Sequence, residues 1–355
     1  MPLCIAPSRQ EEIRSVKSDI EVGSRSWYAK RDMSKGQQAV GIDFGGTRIK
    51  IGVVDSRGGI LCRTGVDVQQ SWGRKKLTEI LVERVEELFA EQAISRKDLL
   101  GVGMGLPGLI DFKKGFVHRL VNVRGWRNVP FASLLRRRIR LPVFIDNDVN
   151  LMALGEAAHG AARGFSQVVC ITLGTGVGGA LILNGELYRG ATNSAGEIGH
   201  VPLSREGPLC ACGSRGCFET YVGNRTITSR AKERIRKGEK TLVRDLIDGK
   251  LEHLTPEVLS QAARQGDPFS ISIWKEVGEW VGIALAGVVN TYNPDRIVIG
   301  GGIAEAGEVL FRPIRRTLKM RALDFPVRGL QVVKAKLGND AGVIGASVLV
   351  RRSVR

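Results

Sequence analysis

Two stretches of this chain repeat one design: AVGIDFGGTRIKIGVVD at 39–55 and VVCITLGTGVGGALILNGE at 168–186. Each reads as an apolar strand, a glycine turn and a second apolar strand, which is a β-hairpin. Neither fits the phosphate loop G-x-x-x-x-G-K-[ST], and neither leads into the helix that a dinucleotide fingerprint requires. Glycines in so tight a turn leave backbone N–H groups open to a phosphate, and Thr47 and Thr175 each add a hydroxyl. One such turn is an ordinary hairpin. Two of them, each opening one half of a 355-residue chain, restrict the fold to two similar halves with a phosphate-bearing ligand between them.

The segments between the copies alternate in type. Residues 75–93 put Leu77, Leu81, Val85, Leu88 and Phe89 on one helical face, and LLGVGMGLPGLID (99–111) is expected as a strand running into a Gly-Pro loop. LPVFIDNDVN (141–150) is a buried strand that stops at Asp146, Asn147 and Asp148 before a helical stretch. Asp is a good helix N-cap, but capping needs only one of the three. PDRIVIGGGIAEAG (294–307) delivers another glycine turn and a helix. Strands, helices and ligand-type loops at strand ends make an α/β protein with its site in a cleft between two halves.

Residues 195–220, AGEIGHVPLSREGPLCACGSRGCFET, gather three of the six cysteines, His200, Glu197 and Glu219. A disulfide pair, a redox couple, a metal site, or free thiols beside a core histidine would each use them differently. A chain this long needs no staple, and no C-x-x-C is present for redox work. The spacing H-x9-C-x-C-x4-C, with Gly213 and Gly216 to let the loop bend, leaves a metal or plain thiols.

With 53 basic and 36 acidic residues the net charge is +17, which attracts phosphate backbones in general. Apart from Arg136, Arg137, Arg138 and Arg140 at the end of an amphipathic segment, the cations are scattered, so no nucleic-acid partner is expected. No apolar run approaches the roughly 20 residues of a membrane span, and no membrane partner is expected. The start MPLCIAPSRQEEIRSVKSDI has no apolar leader, so the expected compartment is the cytoplasm. Residues 1–37 read as a tail, too few and too weakly patterned for a helix-turn-helix domain with its linker.

Taken in order from about Val40 to Val350, the motifs IDFGGTRIK, GLPGLID, FIDNDVN, LGTGVGG, AGEIGH, CACGSRGCFE and IVIGGGI resemble the ROK family of sugar kinases and related repressors. The resemblance implies a two-lobed actin-like, ribonuclease-H-like ATPase fold. A small lobe over 38–146 would carry the first phosphate turn, and a large lobe over 147–337 the second. Segment 338–355 would form a helix packing back on the small lobe.

The same resemblance implies site roles. His200, Cys210, Cys212 and Cys217 correspond to a structural zinc site, with four N/S ligands and no open position. Gly108, Asn147, Glu197, His200 and Glu219 correspond to sugar ligands, and Asp148 to the general base. Gly45, Gly46 and Thr47 correspond to the first phosphate turn, Gly174, Thr175 and Gly176 to the second, and Asp43 to a group near Mg²⁺. Gly300, Gly301 and Gly302 correspond to the adenosine side. Arg48 departs from the pattern, since a lysine is frequent there; the charge survives, though the guanidinium is planar and bulkier. The implied activity is ATP-dependent phosphorylation of glucose. The alternatives are a kinase for N-acetylglucosamine, N-acetylmannosamine, fructose or mannose, or a sugar-sensing regulator. A homodimer is implied by resemblance alone.

Overall fold

The computed structural model describes residues 38–69, 72–120 and 126–354; the expected tail, 1–37, lies outside them. Both hairpins form. β1 (Gln38–Phe44), β2 (Arg48–Val54) and β3 (Ile60–Asp67) make an antiparallel meander, and β4 (Leu99–Leu106) and β7 (Val143–Asn147) add in parallel beside β1, giving the order β3-β2-β1-β4-β7. Between β4 and β7, β5 (Gly108–Asp111) and β6 (Phe116–Leu120) pair as a separate hairpin.

The second sheet repeats this plan. β8 (Val168–Leu173), β9 (Val177–Leu183) and β10 (Glu186–Tyr188) form the meander, and β11 (Arg296–Gly300) and β12 (Gln331–Lys334) add in parallel, in the order β10-β9-β8-β11-β12. This duplicated arrangement is what the two-lobed actin-like resemblance implies.

The strand expected to run into a Gly-Pro loop within 99–111 does so, because Pro107 has no N–H to continue the ladder. β4 ends at Leu106, and the chain turns at Gly108 (φ +142), where a Cβ would lie 2.1 Å from the Arg119 carbonyl oxygen.

Helices cover the sheets. α1 (Arg74–Glu91) buries Leu77, Leu81, Val85, Leu88 and Phe89, the face its periodicity predicts, and α2 (Phe131–Ile139) buries Phe131, Leu135 and Ile139. α3 (Asp148–His159) starts where β7 ends. In the second half α4 (Pro268–Tyr292) carries the fully buried Trp274, and α5 (Glu308–Arg321) packs beside it.

The last helix, α6 (Ala341–Ser353), touches both halves. A Cβ on Gly103 of β4 would meet the Ala346 carbonyl at 2.0 Å, and one on Gly345 would meet the Leu151 carbonyl of α3 at 1.7 Å. Backbone therefore lies against backbone at both crossings, and any side chain there would push the helix off. Arg351 donates to the carbonyls of Val54 (2.7 Å) and Asp55 (2.5 Å), closing the end of β2.

Candidate functional site

Parallel strands end together, and that register assembles the site. Asp43 of β1 lies level with Gly105 of β4, which lies level with Asp146 of β7. The first glycine turn, the GLPG segment and the DND triplet thus share one sheet edge, the carboxyl end where α/β sheets bind ligands. Gly105 has no side chain where α3 begins: a Cβ would approach the Asp148 Cα to 3.3 Å.

The three polar residues at that edge divide the work. Asn147 is the helix cap, its Oδ1 accepting from Val149 N (2.9 Å) and Asn150 N (3.2 Å), while its Nδ2 faces the Gly108 carbonyl at 3.4 Å. Asp146 is buried; its Oδ1 accepts from Asn150 Nδ2 (2.9 Å) and its Oδ2 from the guanidinium of Arg189 (2.7 and 2.8 Å). Asp148 is left with one backbone bond, from Val149 N at 3.0 Å. Burial pushes its carboxyl up to about 6, the charge of Asp43 adds to the rise, the Val149 hydrogen bond opposes it, and Glu197 adds a smaller repulsion.

Asp43 is itself raised by burial, against the pull of Lys50, whose Nζ stands 3.4 Å from Asp43 Oδ2 and donates to the Asn339 carbonyl at 2.9 Å. Above this pair the first turn closes with Gly45 N on the Arg48 carbonyl (3.1 Å), leaving Gly46 and Thr47 exposed. A cavity of 430 Å³ adjoins it, lined in part by Arg48, Lys50 and Arg63. Each cation there has its own carboxylate, Asp67, Asp43 and Asp340 in turn, so the cavity is electrically balanced.

The second turn closes with Gly174 N on the Gly176 carbonyl at 3.0 Å, with Thr175 exposed. Gly300, at the end of β11, registers with Thr172. Gly301 (φ +85) lies so close to β8 that a Cβ would sit 2.2 Å from the Leu173 carbonyl. The second glycine turn and the 300–302 turn are therefore neighbours on the second sheet.

Glu197 and His200 bracket one 3₁₀ turn, Ile198–His200, with His200 N on the Glu197 carbonyl at 3.0 Å. At three residues per turn, positions i and i+3 eclipse, so both side chains fall on one side, Glu197 exposed and His200 half-buried. Behind them the ligand atoms of His200, Cys210, Cys212 and Cys217 all lie within 4.8 Å of one another. His200 Nδ1 is 3.7 Å from Cys210 Sγ, and Cys212 Sγ is 3.7 Å from Cys217 Sγ. Tetrahedral zinc with ligand bonds of about 2.0–2.3 Å needs donor separations of this size, so the donor set fits that ion. With Nδ1 on the cysteine side, Nε2 is the nitrogen left for another partner.

Glu219 is held on two sides. Its Oε2 accepts from Val177 N at 3.2 Å and its Oε1 from Cys210 Sγ at 3.4 Å. Two residues escaped the sequence reading, Arg189 and Lys50. Arg189 follows β10, stacks on Phe112 at 4.1 Å and pairs with Asp146, joining the second half to the strand end beside Asp148. A lone arginine after a short edge strand carries no pattern. Lys50 lies within a quoted motif, and only the Asp43–Lys50 register of the hairpin reveals its partner.

Comparison with known proteins gives consistent results. The chain is 37% identical over 314 residues to a glucokinase of Halalkalibacterium halodurans, covering 88% of this chain and 94% of that one. It is 30% identical to a xylose repressor of Caldicellulosiruptor bescii, covering 88% of this chain and 77% of the repressor. A crystal structure of a ROK family glucokinase from Streptomyces griseus, in complex with glucose and AMPPNP, superimposes with a TM-score of 0.77 at 34% identity, over 89% of this chain and all of that one. The sequence profile of the ROK family matches residues 39–353, and the chain belongs to that family, with its actin-like ATPase fold.

Proposed function

We propose that this protein transfers the γ-phosphoryl group of ATP to the 6-hydroxyl of a hexose, glucose first among them. The observation that carries this reading is Asp148: a carboxylate just past a strand end, relieved of capping by Asn147, pushed up to about 6 by burial, and two residues beyond Asp146, which lies in register, through Gly105, with Asp43 before the first glycine turn. It takes the hydroxyl proton as the sugar oxygen forms its bond to the γ-phosphorus, while the bond from that phosphorus to the β-phosphate oxygen breaks and ADP leaves. Mg²⁺ with the nucleotide supplies charge neutralisation, and Asp43 is the carboxylate to hold it.

The remaining roles follow from position. The exposed Glu197 and the Nε2 side of His200 receive sugar hydroxyls, joined by Glu219, Asn147 Nδ2 and the Gly108 backbone. Gly45, Gly46 and Thr47 on one sheet, and Gly174, Thr175 and Gly176 on the other, receive the phosphates. Gly300, Gly301 and Gly302 face the nucleoside. His200, Cys210, Cys212 and Cys217 hold structural zinc, which fixes the loop that aims the sugar ligands. We place the lobe boundary at 146/147, expect a cytoplasmic enzyme, and propose a homodimer on family likeness alone.

The test is a coupled ADP-release assay with ATP against a panel of glucose, mannose, fructose and the two N-acetylhexosamines. Turnover greatest on glucose is the expected result. Absence of ADP release with every sugar, from zinc-replete protein, would overturn the kinase reading in favour of a sugar-binding regulator, the role that the name of the xylose repressor gives to that relative.

A further inference from the structure

We propose that Glu219 and the short helix it opens form a brace for the second glycine turn, so that the cysteine loop sets nucleotide affinity as well as sugar affinity. The proposal rests on the kinase reading above and extends it to a positioning role.

Three contacts carry it. Val177 N, the first amide after the turn, donates to Glu219 Oε2 at 3.2 Å. Asn224 N, at the start of the next helix (Asn224–Arg236), donates to the Gly174 carbonyl at 2.9 Å, fixing the first residue of the turn. Gly223, between them, is so close that a Cβ would lie 2.9 Å from the Thr175 carbonyl. The segment Glu219–Asn224, the helix Glu219–Val222 with the Gly223 joint and the start of the helix Asn224–Arg236, therefore touches the turn at 174, 175 and 177. Gly176 completes the fit: a Cβ there would lie 2.3 Å from Glu219 Oε2, so it is bare because the carboxylate occupies that space. By contrast Gly174 has nothing within 4 Å of its missing Cβ, leaving it open to a ligand.

The brace leads straight back to the cysteines. Cys217 is fully buried two residues before Glu219, and Phe218 between them is fully buried in the second-half core. Thr220 ties the helix to the Cys217 carbonyl at 2.7 Å. A loop loosened at Cys210, Cys212 and Cys217 thus loosens the helix start, and with it the turn that presents its amides to phosphate. Preorganised amides lose affinity when they must be ordered by the ligand itself.

The experiment is calorimetric titration of a non-hydrolysable ATP analogue with Mg²⁺, in the absence of sugar, into four samples: zinc-replete protein, chelator-treated protein, Glu219→Ala and Gly176→Ala. Metal analysis and circular dichroism accompany each. The expected result is that both variants keep their zinc and their fold yet bind the analogue roughly tenfold more weakly, the scale of one hydrogen bond to a charged group, and that chelator-treated protein does the same. Gly176→Ala is the second route, since it displaces the carboxylate while leaving Glu219 in the chain. Unchanged analogue affinity in all three altered samples overturns the brace. Failure of the zinc-replete protein to bind the analogue at all would instead strike at the kinase reading.

Discussion

The two halves share strand order and direction, yet their glycine turns keep different company. The first turn stands open: Gly46 and Thr47 are exposed, and beneath them is a single carboxylate, Asp43, paired with Lys50. The second is clamped from behind by Glu219, Gly223 and Asn224. What separates them is the connection from third to fourth strand. In the first half that connection is essentially α1, which runs into β4. In the second half, the same place in the topology holds the Glu197 loop, the cysteine loop and α4 before β11 begins. The duplicated sheet supplies a glycine turn in each half; material inserted at one equivalent point of one copy brings Glu197, Glu219 and the four clustered His and Cys donors.

The sharpest way to break this division is Asp148→Asn, at the start of α3, where the first sheet's strand end hands over to the second half. Turnover should fall roughly 100-fold or more, the scale of general-base catalysis, while calorimetry shows both ligands still bound. The same substitution should stabilise the fold at neutral pH. A carboxyl whose folded value is about 6, above an unfolded value near 4, favours folding fully below pH 4 and loses that contribution as pH rises through 6. Removing the charge should therefore raise the midpoint at pH 7, by on the order of 2 kcal/mol in stability, and leave it unchanged near pH 3.5. An equal midpoint at pH 7 would mean that the carboxylate is well solvated.

Next in size is removal of metal, which acts on the second half alone. Loss of about one zinc per chain, by chelation or by Cys212→Ser, should weaken glucose binding about a hundredfold through two or three hydrogen bonds lost at His200, Glu197 and Glu219. Titration of glucose into folded, metal-free protein checks it. Undiminished sugar affinity would show that the loop keeps its shape without the ion.

A smaller effect concerns the two carboxylates at the first sheet's carboxyl edge, Asp43 and Asp148. Because Asp148 must be ionised to accept a proton, kcat/KM should fall about tenfold per pH unit below 6. In Asp43→Asn the residual activity should show this limb at lower pH, since the Asp43 charge is the second cause of the rise. A limb at the same pH in that variant would remove Asp43 from the electrostatics of the base. Smallest is Arg48→Lys: Arg48 and its partner Asp67 are both solvent-exposed, and exposed pairs contribute about 0–1 kcal/mol. The KM for ATP should move by less than about fivefold.

Much of this was written in local pattern. The two hairpins, α1 and the β7-to-α3 join are visible because their apolar spacing runs over whole elements. β3 was not, because it is an edge strand whose burial alternates with charged and exposed positions, and β10 and β12 are only three and four residues long. At the site, residues 43, 148, 197 and 200 were singled out through motif resemblance, and the clustering of His200, Cys210, Cys212 and Cys217 was anticipated from their spacing together with that resemblance. Which of Asp146, Asn147 and Asp148 caps the helix was not, because the answer depends on Arg189 arriving from another element to take Asp146. The second contact of Glu219 was equally hidden, since Val177 is 42 residues away along the chain.

The crossing of α6 over β4 has a consequence for how the protein is made. Synthesis delivers the first sheet early, but the helix that lies against Gly103 and Gly41, and whose Arg351 closes β2 over a separation of 297 residues, leaves the ribosome after every other described element. Until then the glycine-lined face of that sheet has no helix laid along it, and the backbone seam between α6 and α3 cannot form. Contacts so distant in sequence are slow to close, and surface left open meanwhile is prone to aggregate. The first half is therefore born first and finished late, so the nascent chain should stay sensitive to proteolysis within 38–147 until α6 is released.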